Sequence, residues 1–125
     1  MTGIQPELWV ERPATAVAFY QAAFGARILM QVGDGEDIVA QLAVDDAVFW
    51  VGGADPVLRR LDPRAADGAT GRTLLVVADP DGFVARAVDA GATLTSPVGD
   101  EHGWRLGRIV DPHGHEWEIG RPSGD

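Results

Sequence analysis

Near its C-terminus the chain holds residues whose types and spacing could bind a metal ion. The stretch RIVDPHGHEWEIG, residues 108–120, contains His113 and His115 close to Glu116 and Glu118. Imidazole nitrogens and carboxylate oxygens are common ligands of divalent metals. The chain has three His residues in all and no Cys, which excludes disulfides, thiolate metal sites and cysteine nucleophiles.

The turn DPHGH nevertheless favours a structural role for its two His residues. Pro and Gly are typical turn residues, and the side chain of Asp111 is expected to bond the backbone of the turn. In the strand that follows, His115 lies on the face opposite Glu118, because side chains alternate along a strand. We therefore interpret His113 and His115 as parts of the turn. His102 stands in the polar loop GDEHGW and is expected to be exposed.

Other chemistry of the C-terminal stretch depends on its carboxylates. Glu116 and Glu118 share one face of the strand, and such a pair could bind a cation or act as acid and base. The sequence contains no phosphate-binding loop, no G-x-S-x-G elbow and no H-E-x-x-H motif. No residue is therefore a candidate for nucleophilic catalysis.

Composition narrows the classes of partner. The formal net charge is −9, from 19 acidic and 10 basic residues. This charge repels phosphate backbones, so nucleic acid is not expected as a partner, whereas a cationic small molecule would be attracted. The alternative explanation of the acidic excess is solubility alone. No apolar run reaches the ~18–20 residues of a membrane span and no secretory leader is evident, so a cytoplasmic location without membrane contact is expected.

The elements that must position these residues begin with a strand, IQPELWVER. Alternation places Leu8 and Val10 on one face and Gln5, Glu7 and Trp9 on the other. The first set is apolar and should face the core. The second set is polar or amphipathic and should face a ligand or solvent.

A helix is predicted next, in the stretch PATAVAFYQAAFGA. Pro13 suits its first turn, Thr15 is expected to be the N-terminal cap, and Gly25 suits its C-terminal stop. Three short strand-like runs follow, RILMQV, DIVAQLAV and AVFWVGG, separated by GDGED and DD turns. A core-facing stripe with helical spacing is formed by Ala16, Phe19, Tyr20, Ala23 and Phe24.

The same order of elements returns in the second half of the chain. AAFGARIL is echoed by VDAGATLT, and Leu8-Val10 by Leu74-Val76, at one constant spacing of about half the chain. We interpret this as a duplicated βαβββ unit within a single domain, 1–125. Unit 1 spans about 4–55, a connector with one helical turn about 56–71, and unit 2 about 72–122. The predicted fold is α+β, with the two sheets paired edge to edge in an open cup and the helices outside.

Three stretches carry a resemblance to a known family: PELWVERPATAVAFYQAAFGA, VDAGATLTSPV and GRIVDPHGHEWEI. The chain resembles the vicinal-oxygen-chelate superfamily, also called glyoxalase/bleomycin-resistance/dioxygenase. Within it, the chain is most similar to the PhnB-like branch. The resemblance covers nearly the whole chain and is specific for the fold, but the fold hosts many activities.

The resemblance implies four metal-ligand positions in the cup, usually His, Glu, His and Glu. In this sequence they fall on Gln5, Gln41, Arg72 (or Thr73, if the register slips by one) and Glu118. Only Glu118 matches, and a Gln oxygen at position 5 is tolerable, whereas Arg is a permanent cation that repels a metal ion. The expected cofactor is therefore none, and any divalent metal would depend on Gln5, Gln41 and Glu118.

The third ligand position holds Arg72, which repels a metal ion, and this suggests another arrangement. A buried carboxylate needs a partner, so Glu118 is expected to pair with Arg72 across the cup, which replaces the metal with a salt bridge. Trp9 should look into the cup because it shares a face with Gln5. The facing of Trp50 and Trp104 stays open.

These patterns favour a metal-independent protein that binds a small molecule, an antibiotic or a metabolite, and forms a homodimer. The alternative is a divalent-metal-dependent glyoxalase-like lyase, epimerase or dioxygenase, and a metal-free enzyme with Glu118 or Glu7 as general base is a third class. The sequence does not decide whether the protein is an enzyme. The predicted ligand-binding residues are Gln5, Glu7, Trp9, Gln41, Trp50, Arg72 and Glu118.

Overall fold

A computed structural model describes residues 1–124. No helix in this range is long and apolar enough to cross a membrane. The elements, in chain order, are β1 Glu7–Val10, α1 Pro13–Phe24, β2 Arg27–Val32, β3 Val39–Val44, β4 Ala47–Gly53, a 3-10 turn Pro56–Leu58, β5 Arg72–Val76, α2 Pro80–Asp89, β6 Thr93–Glu101, β7 Trp104–Val110 and β8 Glu116–Pro122.

The strands form two four-stranded sheets with the same topology. The orders are β1-β4-β3-β2 and β5-β8-β7-β6, and in each sheet the first strand runs parallel to the fourth while the remaining pairs are antiparallel. This confirms the predicted α+β fold of two βαβββ units. The edge-to-edge pairing predicted for the two sheets is wrong, because no strand of one pairs with a strand of the other in residues 1–124. Each sheet turns one face to the helices and leaves the other face open.

The N-terminus of α1 is capped from a distance. The residue at its N-cap is Arg12, which makes no side-chain cap hydrogen bond, so the prediction that Thr15 is the cap is wrong. Instead a carboxylate from the β2–β3 loop accepts from the helix: Glu36 Oε1 takes the backbone N–H of Ala14 at 2.7 Å. An anion at this end also interacts favourably with the helix dipole. The predicted stop is confirmed, since Gly25 has the left-handed φ of 66°.

One aromatic cluster joins the two units. Tyr20 of α1 and Phe49 of β4 both contact the ring of Trp117 on β8, at centroid distances of 5.8 and 5.4 Å. Phe24 of α1 lies 5.2 Å from Phe83 of α2. The helix-facing sides of both sheets therefore bury one common core, in which Trp117 is 2% exposed.

The internal repeat is shifted by one residue between its parts. Leu8 pairs with Val51 in unit 1 and Leu75 pairs with Ile119 in unit 2, and all four side chains are buried. Leu8 therefore corresponds to Leu75 rather than to Leu74, which is exposed on the open face. The correspondence predicted between Leu8-Val10 and Leu74-Val76 is wrong, because it matches buried side chains with exposed ones. A shift of one residue along a strand moves every side chain to the opposite face of the sheet.

Candidate functional site

The open face of the first sheet carries a cluster of three polar side chains, which we call the amide cluster: Gln5, Gln41 and Trp50. Gln5 Oε1 accepts a hydrogen bond from Trp50 Nε1 at 2.8 Å and another from Gln41 Nε2 at 3.2 Å. Gln41 and Trp50 are direct partners across β3 and β4, so register brings them together. The two bonds occupy both lone pairs of the Gln5 oxygen.

The open face of the second sheet carries a charged counterpart, which we call the arginine cluster: Arg72, Arg108 and Glu118. Glu118 Oε2 accepts from Arg108 Nε at 3.0 Å and lies 3.3 Å from Arg72 Nη2. The predicted pairing of Arg72 with Glu118 is thus confirmed. Arg108 also donates to Glu101 at 3.0 Å, and its hydrogen bonds to Glu101 and Glu118 raise its pKa above the ordinary value.

The two clusters occupy equivalent places in the two units. With Leu8 aligned on Leu75, Gln5 corresponds to Arg72, since each stands three residues earlier. Trp50 corresponds to Glu118, because each precedes the buried residue that pairs with that leucine.

Cross-strand pairing fixes the third member of each cluster. Gln41 is the partner of Trp50 in one sheet and Arg108 is the partner of Glu118 in the other. In unit 1 the position equivalent to Glu118 is therefore occupied by Trp50 on β4. The family resemblance had placed this ligand position on Gln41, which lies on the neighbouring strand β3.

Trp9 lies on the same open face as the amide cluster, as expected. Its ring packs against the backbone of Gly52. A Cβ atom added at that glycine would lie 3.2 Å from Trp9 Cζ3. The guanidinium of Arg60, from the connector, lies 4.8 Å from the ring centroid on a cation–π contact. Strand alternation also puts Glu7 on this face, with an exposed side chain. Trp9 is thus held between the sheet and the connector.

The strand register settles the facing of the remaining tryptophans. Trp50 is paired with Gln41 and faces the open side of its sheet. Trp104 lies on the same face of β7 as Arg108, because the β7–β8 ladder is regular over that stretch. Trp50 therefore belongs to the predicted site, and Trp104 lies on the open face of the other sheet.

The DPHGH turn forms a buried structural centre. Asp111 is 3% exposed, and its Oδ1 accepts the backbone N–H groups of His113 and His115 at 2.8 and 3.1 Å. Its Oδ2 accepts from Tyr20 Oη at 2.5 Å and from Trp117 Nε1 at 2.9 Å. Asp111 thereby ties α1 of unit 1 to β8 of unit 2. Burial raises the pKa of the Tyr20 hydroxyl well above its ordinary value, and the neighbouring Asp111 charge adds to that effect.

Both His residues of this turn have structural surroundings. His115 donates from Nε2 to the carbonyl oxygen of Trp9 at 2.8 Å, because a carbonyl can only accept. His113 is buried against Phe19, and burial lowers its pKa. The structural interpretation of the pair is confirmed, and His102 is exposed as expected.

The donor set does not fit a family-type metal ion. Across residues 1–124 no three His, Asp or Glu side chains lie close enough together to hold one. The oxygen of Gln5 is occupied by two N–H donors and Glu118 Oε2 by two guanidinium groups. A cation at Glu118 would have to lie beside two permanent positive charges.

The seven predicted residues therefore fall into two groups. Gln5, Glu7, Trp9, Gln41 and Trp50 share the open face of the first sheet, and Arg72 and Glu118 share that of the second. No hydrogen bond or ion pair within residues 1–124 joins the groups.

Sequence reasoning missed Arg60 and Arg108. A signal for Arg108 was present, because a hairpin centred on His113 pairs residue 108 with residue 118. Arg60 lies in an irregular connector and had no such signal.

Comparison with known proteins agrees with this fold. The model of the Glyoxalase/Bleomycin resistance protein/Dioxygenase superfamily matches residues 4–119, and the chain belongs to that superfamily. An uncharacterized protein of Mycobacterium tuberculosis, Rv0887c, is 33% identical, over 95% of this chain and 74% of its own length.

Two solved structures are similar over nearly their whole length. TioX from Micromonospora sp. ML1 has a TM-score of 0.74 at 26% identity, over 99% of this chain and 98% of its own. The product of the Arabidopsis thaliana gene AT5G48480 has a TM-score of 0.70 at 29% identity, over 95% of this chain and 96% of its own.

Proposed function

We propose that the protein binds a small organic molecule, an antibiotic or a metabolite, without a metal ion, as a member of the PhnB-like branch of its superfamily. One observation carries the proposal: at two of the four ligand positions that the family resemblance implies, the oxygens Gln5 Oε1 and Glu118 Oε2 are engaged by other side chains of the protein itself. Gln5 is occupied by Gln41 and Trp50, and Glu118 by Arg72 and Arg108. The open faces then serve as the walls of a small-molecule site and do not coordinate a metal ion.

The walls offer flat apolar surface next to polar groups, which is typical of small-molecule sites. On the first sheet these walls are Trp9 and Trp50, with Gln5 and Glu7 beside them. Because Trp9 is held between Gly52 and Arg60, its ring is ordered before any ligand arrives. Ordered walls reduce the entropy that binding costs.

We also propose that the protein forms a homodimer, because one chain leaves the open faces of its two sheets uncovered. Large apolar side chains are exposed on both faces, with Met30, Val32 and Val39 on the first sheet and Leu74 and Val76 on the second. A second copy that sets its unit 2 against unit 1 of the first would cover both patches. Light scattering should then give twice the 13.3 kDa of the chain.

The experiment that tests the metal-independent proposal is a thermal-shift titration of chelator-treated protein with Ni²⁺, Zn²⁺, Mn²⁺ and Fe²⁺. An ion that binds the native state must raise the Tm. We expect no rise with any of the four ions. A stoichiometric rise that Glu118→Ala abolishes would refute the proposal and support a metal-dependent lyase, epimerase or dioxygenase.

A further inference from the structure

A cavity of ≈ 410 Å³ lies between the units, but a second cavity of ≈ 390 Å³ has the more informative lining. We call the second one the arginine pocket. It lies beside the arginine cluster and reaches across β5, β8, β7 and β6. Its volume is within the range of small-molecule sites. Its polar lining consists of Arg72, Thr95, Ser96, Arg108 and Glu116.

Arg72 has donors to spare in this pocket. Its one charged contact is to Glu118 at 3.3 Å, and its side chain donates no hydrogen bond within residues 1–124. The side chain is 43% exposed. By contrast, Arg108 is held by Glu118 and Glu101. Because Glu118 Oε2 contacts both guanidinium groups, they are kept side by side at the edge of the pocket.

Two residues with hydroxyl groups line the same cavity. Thr95 and Ser96 line it, and neither side chain makes a hydrogen bond in the part of the chain that the structure describes. The β6–β7 register shifts between Leu94 and Ser96, and such an irregularity changes where the side chains point. Hydroxyl donors next to a planar guanidinium fork match the acceptor oxygens of an oxyanion.

Glu116 decides which oxyanion fits. It lines the pocket and forms no ion pair among residues 1–124. A singly charged carboxylate gains from Arg72 and Arg108 and meets one repelling charge at Glu116. A doubly charged phosphate is attracted and repelled twice as strongly, and its further oxygens need donors beyond those that Arg72 leaves free, so the carboxylate is the better match.

We propose that the arginine pocket binds the carboxylate group of the ligand, with Arg72 as the principal donor. The inference rests on the proposed binding function and names its ligand class. The proposed ligand is an anion, although the overall charge of −9 would by itself favour a cationic ligand. Of the nearby carboxylates, Glu118 and Glu101 are engaged in ion pairs with the two arginines. Charges beyond about 8–10 Å are largely screened at ordinary salt, so the free N–H donors of Arg72 decide the local preference.

The test is an NMR titration of the ¹⁵N-labelled full chain with benzoate, with benzamide as the neutral analogue of similar shape, and with inorganic phosphate. Benzoate should shift the backbone amides of Thr95 and Ser96 in a saturable way. Benzamide and phosphate should bind at least about ten-fold more weakly, since a charge-assisted pair is worth about 1.5–3 kcal/mol, or about ten-fold and more.

Arg72→Met should weaken benzoate binding about ten- to hundred-fold, and Arg72→Lys less. Arg121→Met is the matched control, because Arg121 lies on the opposite face of the same sheet, and it should leave the affinity unchanged. Equal binding of benzoate and benzamide, no effect of Arg72→Met, or no saturable shift at Thr95 and Ser96 would each overturn the inference. Tighter binding of phosphate would overturn the carboxylate assignment.

The two proposals fail in different ways. Metal binding at Glu118 would refute the metal-independent function, whatever benzoate does. A protein without metal response that ignores benzoate would keep its binding function for another ligand class and lose the carboxylate inference.

Discussion

The amide cluster and the arginine cluster occupy the same places in two copies of one unit, yet their chemistry is opposite. In unit 1 the acceptor is Gln5, two residues before the first strand, and the donors Gln41 and Trp50 come from β3 and β4. In unit 2 the acceptor Glu118 is on the last strand, its hydrogen-bond donor Arg108 is on β7 and its ion-pair partner Arg72 is on β5.

The same sheet geometry can therefore satisfy the acceptors on its open face in two ways. The neutral cluster depends on ordinary hydrogen bonds and is insensitive to charge. The charged cluster leaves spare guanidinium donors, so it retains an electrostatic preference for an anion. The duplicated fold therefore offers two unlike walls from one architecture.

The largest expected effect comes from the residue that joins the two units. Asp111→Ala should lower the free energy of unfolding by about 3–5 kcal/mol, since two buried donors, Tyr20 and Trp117, lose their acceptor at about 1–3 kcal/mol each and the turn loses its backbone bonds. Urea denaturation measures this. Asp46→Ala, an exposed carboxylate in the β3–β4 turn, is the control and should stay within about 0.5 kcal/mol. A loss below about 1 kcal/mol for Asp111→Ala would contradict the assigned role.

Alkaline titration examines the same junction without a mutation. Tyr20 is the one tyrosine of the chain, so tyrosinate absorbance reports on it alone. Its pKa is raised in the fold, so stability is fully present below the unfolded pKa of about 10 and falls as pH rises above that value. Ionisation and loss of near-ultraviolet circular dichroism should coincide. A tyrosinate signal at about pH 10 in folded protein would show that the hydroxyl is not buried.

The charged cluster should respond more strongly than the neutral one to loss of its acceptor. Glu118→Ala leaves Arg72 and Arg108 adjacent without a carboxylate, and we expect a loss of about 1–3 kcal/mol in the free energy of unfolding. Raising salt from about 0.1 M to about 1 M should reduce this loss, because it screens the remaining repulsion. Glu118→Gln keeps an acceptor and should cost less. A loss that does not change with salt would argue against an electrostatic role.

The smallest effect is expected in unit 1. Gln5→Ala removes a neutral acceptor from Gln41 and Trp50, and both donors can then bond water, so the loss should be about 1 kcal/mol or less. It should not depend on salt. Denaturation followed by tryptophan fluorescence, in the same salt series as Glu118→Ala, makes the comparison direct. A salt-dependent loss at Gln5 would remove the contrast between the clusters.

Much of the fold could be predicted because its signals are local. Alternation at Leu8 and Val10, the helical spacing of Phe19 and Tyr20, and the stop at Gly25 all depend on a few neighbouring residues. The cap of α1 could not be predicted in the same way. Its carboxylate, Glu36, comes from a loop that only the folded chain brings to the helix.

The candidate site shows the same division. The pairing of Arg72 with Glu118 could be predicted, because a buried carboxylate requires a partner and the expected ligand position held a cation. The second ligand position was assigned to Gln41 on β3, whereas the residue equivalent to Glu118 is Trp50 on β4. That error arose because the family pattern was applied without the cross-strand register, which pairs Gln41 with Trp50.

The sequence alone predicts the order of the strands and helices along the chain, the duplicated unit and the absence of thiol chemistry. Local alternation and turn residues encode these features. The tertiary structure alone decided that Trp50 and Arg108 complete the two clusters and that Asp111 accepts from Tyr20, 91 residues away. The physical reason is that facing depends on register between distant strands, where a slip of one residue exchanges the buried face for the open one.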